Sequence, residues 1–395
     1  MLTLSSRTRP LGGFDSPPGT AVFRINRATR KPSNGKHSAQ LLVDGITAVD
    51  GYALYLCFDE SAAARLAQGK QVILLPESLS YLSDGDVITV GNDGTLVRAM
   101  YRRGSPNNSF LVTERCNHLC VMCSQPPRTD DDSFLVDEIL EAIPLLDRST
   151  REVGITGGEP TLVGDKFFDM VECMKRFLPG TGVHVLSNGR AFSDHAFSRR
   201  LAELRHFDLM VGIPLYSDYA PLHNFVVQAE GAFDETVRGI INLKALGVRV
   251  ELRFVLNRYT VTRLRSFARF VARNLLFVDH VAFMGMETVG FGRTNLEDLW
   301  IDPHDYMSDL EAACLTLATA GGRPSVYNSQ LCLMPKSLLP FYRHSISDWK
   351  NEYVPECESC YGRTHCGGFF ASNQAAFSAH LEPFHSPESV ARFLE

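Results

Sequence analysis

The sequence predicts an α/β protein built on a parallel sheet, and three observations carry that prediction. From Ser109 onward, short runs rich in β-branched and aromatic residues alternate with longer amphipathic stretches, six times over. Parallel strands need crossover connections of a dozen or more residues, and the amphipathic stretches supply them. The chain has 395 residues, 45% of them apolar and 21% charged, enough to bury a large core in two or three domains.

The candidate strands are residues 110–113, 152–156, 183–187, 209–215, 248–256 and 280–284. Helical patterns cover residues 135–146, 167–178, 233–246 and 262–275; in the third, Val237, Ile240, Ile241 and Leu246 recur on one face. An open sheet and a partial barrel both fit this pattern, and in either one the site belongs at the carboxyl ends of the strands. Residues 1–104 read as a separate β-rich domain. Runs at 20–25, 71–75 and 86–90 are bounded by Gly, Pro, Asn and Asp, with a short helix at 61–66. The polar piece from Arg102 to Asn108 reads as a linker into a core at 105–295. The remaining residues, 296–395, do not continue the alternation. A helix at 303–320 precedes a Cys-, Gly- and aromatic-rich segment, in which Trp349, Ile346 and Tyr353 read as local core.

A net charge of -6 and an acidic isoelectric point argue against a nucleic-acid-binding face. The first thirty residues have no apolar signal region, and no stretch is long and apolar enough to span a bilayer, so a cytoplasmic protein is expected. There, ten cysteines mean metal or catalysis rather than disulfides. Cys57, Cys173 and Cys314 lie in apolar segments and read as packing residues. The other seven form two groups.

The first group, Cys116, Cys120 and Cys123, places three thiols within eight residues directly after a strand. Three thiolates on one short loop can hold three irons of a cubane and leave the fourth open, as catalytic metal sites keep a position for substrate. His118 lies inside the loop and is poorly placed as a fourth ligand. Cys332, Cys357, Cys360 and Cys366 form the second group, and four thiols suffice to close either a cluster or a zinc tetrahedron. His365, beside Cys366, reads as a solvated neighbour.

The pattern CxxxCxxC after a first strand resembles the signature of the radical S-adenosylmethionine (SAM) superfamily, with Met122 where the family usually has an aromatic residue. The match continues at Gly157-Gly158-Glu159-Pro160, which ends the second strand like the family's GGE motif, and less specifically over residues 109–290. This resemblance implies a partial (β/α)6 barrel, a [4Fe-4S] cluster on Cys116, Cys120 and Cys123, and SAM bound at its open iron. It implies that Gly157 and Gly158 let the backbone approach SAM and that Glu159 accepts from its ammonium. Ser187 and Asn188 resemble the polar pair near the SAM ribose, although a plain strand-to-helix turn reads the same way. Arg253 either pairs with a bound carboxylate or snorkels to a strand end. Asn257, at the carboxyl end of its strand, is a candidate SAM contact, and Met284 is either adenine packing or ordinary core.

The run Cys357-xx-Cys360-xxxxx-Cys366 resembles the SPASM/twitch extensions of radical SAM maturases. Phe370 replaces the next expected cysteine, so one site is implied: a second iron–sulfur cluster, with structural zinc as the alternative. The β-rich front, the SAM core and this tail together resemble the His-Xaa-Ser system radical SAM maturases (the HxsC group). That resemblance implies post-translational modification of a peptide or protein carrying His-Xaa-Ser repeats, with flavodoxin or ferredoxin as reductant. A free edge of the front sheet is expected to take up an extended peptide. The alternatives are a small-molecule or nucleobase substrate for the same chemistry, or a non-catalytic iron–sulfur or zinc protein. No side chain stands out as a general base.

Overall fold

The computed structural model describes residues 4–11, 21–28, 30–43, 46–344, 351–372 and 375–395; Ile346 and Trp349, assigned above to local core, lie outside them. The chain begins with β1 (Ser5–Arg7), β2 (Arg9–Leu11), β3 (Ala21–Asn26), β4 (Ser38–Leu42), β5 (Leu54–Cys57), β6 (Val72–Leu74), β7 (Val87–Val90) and β8 (Leu96–Tyr101). They form one mixed sheet in the order β1-β8-β7-β3-β4-β5-β6-β2. β1 and β2 are successive pieces of one extended segment, so this segment pairs with β8 at one edge and with β6 at the other. The sheet thereby closes on itself around Ile25, Leu41, Leu54, Leu56, Ile73 and Val97, all fully buried. The helix Glu60–Leu66, capped by the Asp59 carboxylate accepting from Ala62 N at 2.7 Å, packs against Tyr55 and Val72.

This closure corrects the expectation of an edge open to a peptide. The chain's own N-terminal segment covers both edges, which is how barrels remove unpaired strand edges. The domain also sits at the wrong end to present a peptide. Arg98 pairs with Glu138 on the helix Phe134–Ala142, Arg24 donates to the Leu145 carbonyl at 3.2 Å, and Arg103 Nε lies 2.7 Å from Asp147. These partners lead into the amino-terminal end of the second core strand, opposite the carboxyl ends of the sheet.

The core sheet runs β9 (Asn108–Leu111), β10 (Glu152–Thr156), β11 (Gly182–Leu186), β12 (Leu209–Pro214), β13 (Arg249–Leu256), β14 (His280–Gly285) and β15 (Pro324–Tyr327). Neighbours pair in chain order and every pairing is parallel, with β9 and β15 as unjoined edges, giving the partial barrel. The six expected strands are present with ends shifted by two residues at most. The seventh corrects the expectation that alternation stops after residue 295. The helix Pro303–Thr319 crosses back, and β15 joins β14 in parallel. A four-residue strand opening on proline is too short to show a period-two pattern.

On β13, Val250, Leu252, Phe254 and Leu256 pack outward beneath the helices, with Phe254 4.5 Å from Phe267 on the helix Leu264–Asn274 and 5.8 Å from Phe283, centroid to centroid. Glu251, Arg253 and Val255 alternate onto the inner face. In the tail, β16 (Asn351–Glu352) pairs with β17 (Phe369–Phe370), placing Phe370 in a hairpin core. No helix among the described residues is long and apolar enough to cross a membrane.

Candidate active site

The cysteine loop leaves the carboxyl end of β9 and is fixed at both ends. The buried Asp132 carboxylate accepts from Thr113 Oγ1 at 2.9 Å and Glu114 N at 2.5 Å. Further on, Leu119 N and Val121 N donate to the Val227 and Val226 carbonyls at 3.1 and 2.9 Å, pinning the loop to the end of the helix Ala220–Val227. Cys116, Cys120 and Cys123 then line one wall of a cleft of about 320 Å³ over the carboxyl ends of the strands. Burial pushes the Cys116 thiol up to about 11 and raises Cys120 and Cys123 as well. Metal binding at these thiols therefore has to release protons. Met122 packs with Tyr216 and Met286 behind the loop, so a flexible thioether fills the place of the family's aromatic ring.

The glycine turn after β10 lies directly on this loop. Gly158 N donates to the Thr113 carbonyl and Glu159 N to the Arg115 carbonyl, both at 2.8 Å. A Cβ on Gly158 would stand 2.2 Å from the Arg115 oxygen and 3.0 Å from Cys116 Cβ; one on Gly157 would stand 2.4 Å from the Thr113 oxygen. Any side chain at either position would push the loop and its thiols away from the turn.

Both glycines, Ser187, Asn188, Arg253 and Met284 line the cleft, as does the thiol triad. Two expected site residues do not. Glu159 is fully buried behind the wall, where Oε1 accepts from Thr161 N (3.0 Å), Thr161 Oγ1 (2.6 Å) and Ser187 Oγ (2.8 Å), and Oε2 from Asn188 N (2.6 Å). Its carboxylate takes three donors on Oε1 and one on Oε2 from its own chain and stitches the ends of β10 and β11 together. Asn257 caps the helical turn Arg258–Val261, its Oδ1 accepting from Tyr259 N at 3.0 Å and Thr260 N at 3.2 Å.

Sequence reasoning missed Tyr216, Glu287 and Asn328 in the lining. Asn328 lies just beyond the unrecognised β15 and has a left-handed backbone, φ 55°. His118 also lines the cleft, fully buried, and neither ring nitrogen has a partner among the described residues. Burial, followed by the charge of Arg190, pushes it down to about 4.

Among the described residues, no three His, Cys, Asp or Glu gather around a single-ion position. Three soft thiolates on one wall of a cleft, with glycine backbone beside them, fit an iron–sulfur cluster with room for a further ligand.

The second group also comes together. Cys332, Cys357, Cys360 and Cys366 line one cavity of about 20 Å³ with Tyr353, Phe369 and Phe384, without converging on a single-ion position among the described residues. Backbone N–H groups of Gly368 and Phe384 lie 3.4 Å from the sulfurs of Cys366 and Cys360, and burial pushes the Cys332, Cys357 and Cys366 thiols up. Gln330 Nε2 donates to the Gly368 carbonyl at 3.0 Å and ties this segment to the strand end beside Asn328. Cys57 and Cys314 are buried and Cys173 is half-buried against the core.

No curated protein matches the chain. Among solved structures, SuiB from Streptococcus suis with bound S-adenosylmethionine is 14% identical with a TM-score of 0.45, over 55% of this chain and 49% of that one. The chain therefore spans about half the length of SuiB. The enzyme anSMEcpe with bound AdoMet is 15% identical with a TM-score of 0.49, over 72% of this chain and 94% of that one. A radical SAM methyltransferase from Sphaerobacter thermophilus is 15% identical with a TM-score of 0.41, over 61% and 72% of the two chains. Residues 110–271 match the family model of the Radical SAM superfamily, a stretch that holds the cysteine loop, the glycine turn and the strands that carry them.

Proposed function

We propose that the protein is a radical SAM enzyme that modifies a peptide or protein, of the His-Xaa-Ser maturase type. One observation carries the catalytic part: three thiols and two obligate glycines face one cleft at the strand ends of a radical SAM domain. The chemistry that a bound [4Fe-4S] cluster and SAM supply there is reductive cleavage of the sulfonium to methionine and a 5′-deoxyadenosyl radical, which takes a hydrogen atom from a substrate C–H bond. The chain's own residues position and exclude water. Cys116, Cys120 and Cys123 are the cluster ligands, Gly157 and Gly158 allow close backbone approach, Ser187 and Asn188 offer polar contacts, and Met284 and Val255 supply apolar wall.

The peptide assignment rests on the combined resemblance of the front domain, core and tail to the His-Xaa-Ser maturases, now without help from a sheet edge. Reconstituted protein with SAM, dithionite and a synthetic His-Xaa-Ser repeat peptide should form 5′-deoxyadenosine and shift the peptide mass. Formation of 5′-deoxyadenosine with an unchanged peptide would retain the radical chemistry and discard this substrate.

We further propose that the tail cysteines hold an auxiliary iron–sulfur cluster, reduced like the first by flavodoxin or ferredoxin. Reconstituted protein should then carry about eight irons, and a Cys357→Ala/Cys360→Ala variant should lose about four. Loss of about one zinc with iron unchanged would instead make the tail a structural clamp.

A further inference from the structure

Beneath the cleft, the barrel lumen carries a polar layer, in contrast to the branched aliphatic layers that fill closed (β/α)8 barrels. His184 on β11, Glu251 on β13, His280 on β14 and Ser325 on β15 form a connected set. His280 Nδ1 lies 2.6 Å from Glu251 Oε2, and its Nε2 lies 2.9 Å from Ser325 Oγ. His184 Nε2 is buried 3.6 Å from Glu251 Oε1, too far for a hydrogen bond, and has no other partner among the described residues. Desolvating a carboxylate and two imidazoles is unfavourable and is seldom recovered by their mutual attraction. The strand between makes room for them: a Cβ on Gly212 would stand 2.9 Å from His184 Nε2 and 3.2 Å from Arg253 Cδ.

Arg253 links this layer to the cleft. It lies two residues after Glu251 on the same face of β13, and its Nη1 donates to Glu251 Oε1 at 3.3 Å. Its Nη2 meets only the Met284 thioether, a weak acceptor, at 3.1 Å. A guanidinium has five N–H donors in a fixed fork, so most of them have no protein acceptor among the described residues, on a side chain that lines the cleft. Glu251 already balances this cation. A carboxylate arriving at Arg253 would leave the lumen with one uncompensated negative charge, and an imidazole beside Glu251 is the group able to answer it. The other titratable groups facing the layer are Glu152 towards His184, Tyr327 beside His280 with Arg343 behind it, and Tyr216 above Arg253. None of them can supply a proton-dependent positive charge at neutral pH. Burial pushes the His184 imidazole down, toward its neutral form.

We propose that Arg253 binds a ligand carboxylate in the cleft, and that the His184–Glu251–His280 layer positions its guanidinium and takes up about one proton as that carboxylate binds. The carboxylate belongs either to the methionyl end of SAM, a source that rests on the radical SAM reading, or to an acidic substrate residue.

Calorimetry on cluster-loaded protein, in two buffers of different ionisation enthalpy, tests this. The probes are S-adenosylhomocysteine, methylthioadenosine (which lacks the carboxylate), and the peptides acetyl-Gly-Glu-Gly-amide and acetyl-Gly-Gln-Gly-amide. Proton uptake is expected only with a carboxylate probe; uptake with S-adenosylhomocysteine assigns the cosubstrate, and uptake with the Glu peptide assigns the substrate. Glu251→Gln and His184→Asn/His280→Asn should abolish the uptake. Arg253→Lys should weaken the same probe about tenfold or more and leave methylthioadenosine unchanged. Carboxylate binding without proton exchange, equal weakening of methylthioadenosine, or no binding of any carboxylate probe overturns the proposal. If S-adenosylhomocysteine alone fails to bind the wild type, the radical SAM reading falls and the peptide pair still decides this inference.

Discussion

Replacing Cys116, Cys120 and Cys123 together by Ala should reduce 5′-deoxyadenosine formation, with dithionite and SAM, to background. About four irons per chain should be lost with it. The three sulfurs sit on one loop and line one cleft. The triple variant leaves no thiol among the described residues that line it. The fold should survive. The thiols are only partly buried, and the loop is anchored by backbone bonds to Val226 and Val227 and by Asp132, none of which uses sulfur. Circular dichroism and the thermal midpoint of the apo protein should stay near wild type. Undiminished SAM cleavage in the triple variant would sink the assignment of this cleft as the catalytic site.

The second large effect is expected at Glu159, and the structure changes what it should be. A direct acceptor for the SAM ammonium would, on substitution by Gln, lose affinity and leave stability alone. In the fold, every bond to the carboxylate comes from the chain: two from Thr161, one from Ser187 and one from Asn188. Burial pushes the carboxyl up and these four donors oppose that. Glu159→Gln turns an amide N–H₂ toward backbone donors in a dry site, so at least one is left unsatisfied at roughly 1–3 kcal/mol. Chemical unfolding of the apo protein should show that loss. Affinity for S-adenosylhomocysteine should fall with it, because Ser187 and Asn188 in the cleft wall lose their tether. Glu159→Leu, leaving all four donors unpaired, should be worse. Lost affinity with an unchanged unfolding midpoint would return Glu159 to direct contact with the ligand.

Much of the site was legible because its chemistry is contiguous in the chain. Three cysteines within eight residues after a strand, and a glycine pair ending the next, carry their spacing wherever the strands go. The lining that was missed has the opposite property. Asn328 follows a four-residue strand too short to declare itself, and Tyr216 and Glu287 look like ordinary loop residues until the strand ends converge. Glu251 did carry a signal: it shares the inner face of β13 with Arg253 by simple alternation, between apolar Val250 and Leu252.

The amino-acid sequence by itself determined the alternation of strands and helices, the cysteine loop and the glycine turn, because each depends on residues within one hydrophobic period or one tight turn of each other. Tertiary structure alone decided the rest. The N-terminal segment finds β8 with one half and β6 with the other, and that pairing closes an edge that the local pattern leaves open. The direction of the Glu159 carboxylate depends on donors from the end of a neighbouring strand. The lumen layer takes one residue from each of four strands, aligned by sheet register. Register is a relation between segments far apart in the chain, set by which faces bury together, and no window along the sequence contains it.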